Sequence, residues 1–244
     1  MRKAGGVPRR HGRRGTQPAY GEEGLTRVGQ KRMPREVRER QMLDAAVAAF
    51  ARHGYQAASM DDIAEAAGVS KPLVYLYLKS KEDLFMACVR REIRALVAAV
   101  RQGTRERGAA DQQLWNGLTA FFAHTAARPH GIAVLHRART QGEPFVQEVT
   151  AMRVEITALV TGLLAQAARD TGCDGALAER EVSGLAHALV GAAESLAEWA
   201  NARAAADGDA APSAKETAAT LMNFCWAGLE NLTKGARWVP GPGR

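Results

Sequence analysis

From position 35 onward the apolar residues recur every three or four places, and alternating β-branched runs are almost absent. The pattern predicts an all-α chain. Pro34 precedes a first stretch in which Leu43, Ala46, Val47 and Phe50 form one stripe and Gly54 closes the helix. Ser59, with Asp62 three residues on, reads as the start of a second helix whose inner face is Ile63, Ala64 and Ala67. Gly68 gives a tight exit, and Ser70 is expected to cap a short third helix that tolerates Pro72 in its first turn. Ser80 opens a long fourth helix, expected to reach Arg107 with Leu84, Cys88, Ile93, Leu96 and Val100 inward. Further helices are predicted over Asp111 to Ala127, after Pro129, from Pro144 to before Gly172, over Leu177 to Ala205 and over Ser213 to Leu232. Ser213 and Glu216 form a capping box, and the turn-rich loop from Asp207 to Pro212 separates the last two helices.

The third helix is unusual because much of it has no packing role. Val74 and Leu78 are expected to face inward toward Phe50 and Ile63, leaving Lys71, Pro72, Leu73, Tyr75 and Tyr77 outward or on the flanks. Three helices within about fifty residues, the last two joined by a glycine turn, describe a helix-turn-helix unit that offers such a face to the DNA major groove. Tyrosine hydroxyls reach phosphates while their rings cover sugar, and Lys71 sits where a helix N-terminus meets DNA.

The segment Arg35–Leu84 resembles the DNA-binding region of TetR-family transcriptional regulators. The matching residues are Ala45, Phe50, Gly54 and Ser59-Met60, then Ile63-Ala64 and Ala67-Gly68-Val69-Ser70, then Tyr75, Tyr77-Leu78, Lys81-Glu82 and Leu84. The resemblance implies an N-terminal three-helix DNA-binding domain followed by a helical ligand-binding and dimerisation domain. It further implies a homodimer, a DNA operator as partner, and repression relieved by a small-molecule effector. Carried onto this chain, Ser59 would contact phosphate; Ser70, Lys71, Pro72, Leu73 and Tyr75 would line the reading surface; Tyr77 and Lys81 would contact phosphates. Pro72 and Leu73 stand where the family often has Gly-Thr, so base reading there would be apolar, toward thymine methyls.

Charge changes the picture only at one end. Residues 1–32 carry nine basic and two acidic side chains, which account for the whole formal charge of +7. This Gly/Pro/Arg-rich arm, residues 1–34, is expected to be disordered when free and is either a solvated tail or a mobile phosphate-binding arm. Residues 35–84 hold seven basic and eight acidic side chains, so the helix-turn-helix has no strong field of its own. The domain boundaries follow: arm 1–34, DNA-binding domain 35–81, ligand-binding and dimerisation domain 82–235, frayed tail 236–244. Cys88, Cys173 and Cys225 are odd in number and far apart, which favours reduced thiols in a cytoplasmic protein. No apolar run long enough to span a bilayer and no secretory leader is read.

In the C-terminal half Gly184, Ala188, Gly191 and Ser195 recur at helical spacing, and the last helix adds Leu221, Phe224 and Gly228. Small residues permit close helix approach, so these positions form either a four-helix dimer interface or an intrachain packing face. Trp115, Phe121, Phe122, Met152, Trp199 and Trp226 are candidates either for the lining of an effector cavity or for ordinary core, His187 for a satisfied buried histidine or a polar group of the cavity, and Arg137, Arg139, Glu143 and Glu148 for its polar end. His124, His130 and His136 recur every six residues, which does not place them on one helix face, and no metal site or cofactor is expected. There is no phosphate loop, nucleophile elbow or ligand-spaced carboxylate pair to suggest an enzyme. The competing function is a non-specific architectural DNA binder.

Overall fold

The computed structural model describes residues 34–105, 108–170, 175–207 and 211–233, without the side chains of 175–180, 227 and 229–233. The basic arm, Cys173 and the tail lie outside the described residues. Within them the chain is helical throughout: α1 (Arg35–Ala57), α2 (Met60–Ala66), α3 (Lys71–Tyr77), α4 (Lys81–Gly103), α5 (Ala110–Ala127), α6 (Pro129–Thr140), α7 (Phe145–Asp170), α8 (Gly175–Ala206) and α9 (Ala214–Thr233).

The punctuation works largely as the residues suggest. Gly54 breaks α1 at φ 77°, and Gly68 ends α2 at φ 65°; both are conformations that a side chain disfavours. The Ser59 hydroxyl accepts from the amides of Asp61 and Asp62, and Ser80 accepts from that of Asp83. Ser213 and Glu216 bond reciprocally at 2.8 and 3.2 Å, closing the capping box ahead of α9. Two expectations shift. Ser70 stands at the N-cap of α3 but its side chain makes no cap bond. The fourth helix stops at Gly103 rather than Arg107, with Thr104 bonding back to Val100.

Two apolar cores organise the packing. The first joins Met42, Phe50, Ile63 and Val74 of the three-helix head to Leu84, Phe85, Leu96 and Val100 of α4, and continues into Val134, Leu135, Val149 and Met152. Phe50, Tyr55, Phe85 and Phe145 interlock there with ring centroids 4.8–6.2 Å apart. The second core unites α5, α7, α8 and α9 through Leu114, Phe122, Leu164, Leu189 and Leu221. The head therefore shares its core with α4, α6 and α7. α7 has the length and hydropathy to cross a bilayer by composition alone, but its apolar stripe enters both cores.

Charged groups pin the first core. Glu92 of α4 is 1% exposed. Its carboxylate accepts from Arg128 Nε and Nη2 at 2.9 and 2.8 Å and from Arg91 Nε at 3.0 Å. Arg91 also reaches Asp44 of α1 at 2.7 Å, so one chain of charges ties α1 to α4 and to the α5–α6 junction. Burial alone would raise the Glu92 carboxyl, but the Arg128 bonds and the Arg91 charge outweigh it and hold the group below the usual range. Burial pushes the Cys88 thiol up to about 12, which leaves it protonated and inert at neutral pH.

Candidate DNA-reading face and effector cavity

α3 packs through Val74, which is fully buried, while Tyr77 and Leu78 are half-buried against the same core. At 100° per residue Pro72, Tyr75 and Leu76 share the opposite stripe, and all three are exposed. Leu76, 77% exposed, is the most prominent apolar side chain on this helix. Leu73 lies half-buried on the flank. Lys71 is exposed but paired with Asp61 of α2 at 2.9 Å. Such a surface pair is weak enough for a phosphate to exchange with. The Arg35 guanidinium lies 5.1 Å from the Tyr77 ring centroid, which brings a cation from the start of α1 beside this helix. Lys81 is turned inward by comparison: its ammonium donates to the Gln56 carbonyl at 2.8 Å and lies over the Tyr55 ring.

The second feature is a cavity among α4, α5, α6, α7 and α8. It holds about 970 Å³ of atom-free space counted to its open mouth. Its walls are aliphatic and aromatic, among them Leu96, Val100, Phe121, Leu135, Met152 and Leu189. Polar side chains collect on one side: His136 and Arg139 of α6, Arg153 of α7, and Glu194 and Glu198 of α8. Five of the wall residues, Leu96, Val100, Leu135, Val149 and Met152, also belong to the core that seats the reading helix.

Comparison with known proteins identifies the family. Residues 42–88 match the bacterial regulatory proteins of the tetR family, and residues 110–228 match the tetracyclin repressor-like C-terminal domain. The transcriptional activator FasR of Mycolicibacterium smegmatis is 31% identical over 201 residues, covering 82% of this chain and 87% of its own. The chain belongs to the TetR family. A TetR-like regulator from Rhodococcus sp. RHA1 is 34% identical and superposes with a TM-score of 0.70, covering 82% of this chain and 99% of that one. The fold alone is shared with FadR of Bacillus subtilis, solved in complex with stearoyl-CoA, at 21% identity and a TM-score of 0.54 over 81% of this chain and 99% of that one. As a TetR-family member the protein is a DNA-binding transcriptional regulator.

The residues singled out in the sequence distribute unevenly over this TetR frame. Of the cavity candidates Phe121 and Met152 line the wall, whereas Trp115, Phe122 and Trp226 pack in or against the second core, and Trp199 and His187 are exposed. Phe121, beside Phe122, is the aromatic that faces the cavity. A one-residue step on a helix turns a side chain by about 100°, and composition cannot choose between neighbours. Of the four polar candidates Arg139 reaches the cavity. Arg137 instead donates to the Ala51 carbonyl of α1 at 2.8 Å, and Glu148 pairs with Arg90 at 2.6 Å. Of the small-residue stripe, Gly191 is half-buried, with the Arg153 guanidinium 3.5 Å from where its Cβ would stand. Gly184, Ala188 and Ser195 are exposed, and a Cβ at Gly184 or Gly228 would meet nothing within 4 Å. Phe224 is 74% exposed, but Leu221 turns the other way and is buried in the chain's own second core. Among the described residues His124, His130 and His136 form no group able to hold a metal. Leu76 and Glu194 were missed, one because a lone leucine reads as core, the other because its partners lie over forty positions away in the chain.

Proposed function

We propose that this protein is an effector-responsive regulator that binds a palindromic operator as a cytoplasmic homodimer and releases it when an acyl-chain ligand enters the cavity. The observation that carries this reading is the shared core: Met152, Leu96 and Leu135 face the cavity and belong to the same continuous apolar core that extends through α1 to Val74 of α3. A ligand that displaces them perturbs a core that is packed against the head, and close packing transmits such a shift. The apolar cavity suits a hydrocarbon chain, and a protein of the same fold binds stearoyl-CoA.

Ser59, Ser70, Lys71, Pro72, Leu73 and Tyr75 are the proposed DNA contacts, extended by Leu76, with Tyr77 and Arg35 beside the backbone. Lys81 is assigned instead to holding the end of α1. The exposed stripe of Gly184, Ala188 and Ser195, continued by Phe224 and Gly228, is the proposed dimer face. Such a dimer must set its two α3 helices about 34–36 Å apart to enter successive major grooves. Repression is the expected sign. The FasR relative is an activator, which favours a second reading in which the same release switches transcription off. Operator position relative to the promoter separates the two.

The test selects a binding site from random DNA with the full-length protein, then titrates fatty acids and acyl-coenzyme A thioesters against the complex by fluorescence anisotropy. Sequence preference of about a thousandfold over random DNA, with release by a long-chain ligand, is the expected result. Binding with little sequence preference and a steep salt slope would mark an architectural DNA binder instead.

A further inference from the structure

We propose that Arg139 and Arg153 form the site for an oxyanion head carried on the apolar effector, and that Glu194 is the group this head displaces. The inference rests on the effector reading above and assigns the polar end of the same cavity.

The remaining walls are apolar apart from Thr104 and Thr125, whose hydroxyls donate to backbone carbonyls, so a ligand that seats a charged head inside the cavity places it among the groups of α6, α7 and α8. There the Glu194 carboxylate lies between two guanidinium groups. Its Oε1 accepts from Arg153 Nε at 3.1 Å, while its Oε2 is 3.6 Å from Arg139 Nη1, beyond hydrogen-bond length. Glu194 is the less exposed partner in both pairs, and all three side chains face the cavity. A guanidinium is a planar fork of several N–H donors that matches carboxylate and phosphoryl oxygens in pairs. Two such forks around one loosely held carboxylate have donor capacity that a second oxyanion can use. The second carboxylate there, Glu198, is engaged by His136 at 3.7 Å.

The exchange has a mechanical consequence. Glu194 ties α6 and α7 to α8 through these two arginines. Two positions before Arg139 on α6, Arg137 holds the Ala51 carbonyl of α1, beside the break at Gly54. An oxyanion that takes Arg139 from Glu194 removes one polar link of α6 to α8, with His136–Glu198 remaining, while Arg137 keeps α6 fastened to the DNA-reading head. The Arg153 guanidinium also lies 3.5 Å from where a Cβ on Gly191 would stand, next to the small-residue stripe.

The experiment measures binding of hexadecanoate, hexadecanoyl-coenzyme A and uncharged hexadecanol by calorimetry to full-length wild type, Glu194→Gln and Arg139→Gln/Arg153→Gln. The double arginine variant is expected to bind at least one of the two anions about tenfold more weakly or worse, since a hydrogen bond to a charged group is lost. Glu194→Gln is expected to bind that anion several-fold more tightly, with hexadecanol changing less than twofold across all three proteins. The alcohol thereby reports that each variant is folded around its cavity. Preference for hexadecanoate names a carboxylate head, and preference for the thioester names the phosphoryl groups of coenzyme A. Equal anion-to-alcohol affinity ratios in all three proteins would overturn the assignment while leaving the apolar cavity standing. Wild type that binds none of the three would overturn the acyl-chain reading and this inference with it.

Discussion

Replacing Glu92 with glutamine tests whether the buried charge chain holds the head to the cavity helices. The substitution keeps the volume but removes the negative charge, and it points an N–H₂ group at one of two guanidinium groups. Three hydrogen bonds of 2.8–3.0 Å converge on this carboxylate. Breaking a buried ion pair by removing one partner costs about 3–5 kcal/mol. Here the partners recover part of that, because Arg128 is 40% exposed and Arg91 keeps Asp44 and the Leu43 carbonyl. A loss of about 2–3 kcal/mol is expected, which lowers the melting temperature by roughly 5–10 °C in a chain of this size. The pH dependence has a definite sign. Glu92 is held below its ordinary value in the folded protein, so its contribution is complete above the unfolded pKa and disappears as pH falls through the folded one. Melts of wild type and Glu92→Gln followed by circular dichroism should therefore differ most near neutrality and converge in acid. A variant that melts with wild type at pH 7, or a gap that widens on acidification, would refute the reasoning.

Leu76→Ala should shift the preferred base within each half-site of a selected operator by roughly 1–3 kcal/mol of discrimination, whereas Lys81→Ala should lower stability before it changes the operator; an unchanged motif for Leu76→Ala would reorient α3. Ala188→Glu should yield monomers in sedimentation without loss of helix content, because it places a charge on the exposed stripe. Arg137→Ala should leave the Ala51 carbonyl without its donor, cost about 1–2 kcal/mol in melts and reduce the effector's influence on DNA affinity. Deleting residues 1–32 should flatten the log–log salt dependence of DNA binding by about 0.9 per lost phosphate contact, without altering the preferred sequence.

What was legible in the sequence is what local chemistry controls. Apolar spacing located the helices, and Gly54, Gly68, Ser59, Ser80 and the Ser213–Glu216 box marked their ends, because caps and positive φ angles depend on a few neighbouring residues. The inward Val74 and the outward Tyr75 also followed from the period of one short helix. Tertiary packing decided the rest. Phe121 rather than Phe122 faces the cavity, and Leu221 rather than Phe224 is buried, since the rotation of each helix is set by the neighbours it meets. Arg139, Arg153 and Glu194 stand on three helices, and only the fold brings them together. Arg137 and Arg139 are alike in the chain, two residues apart, yet one holds the DNA-reading head and the other faces the cavity. Two residues turn a helix by about 200°, so neighbours in sequence serve opposite faces, and contacts far apart in the chain determine what each face does.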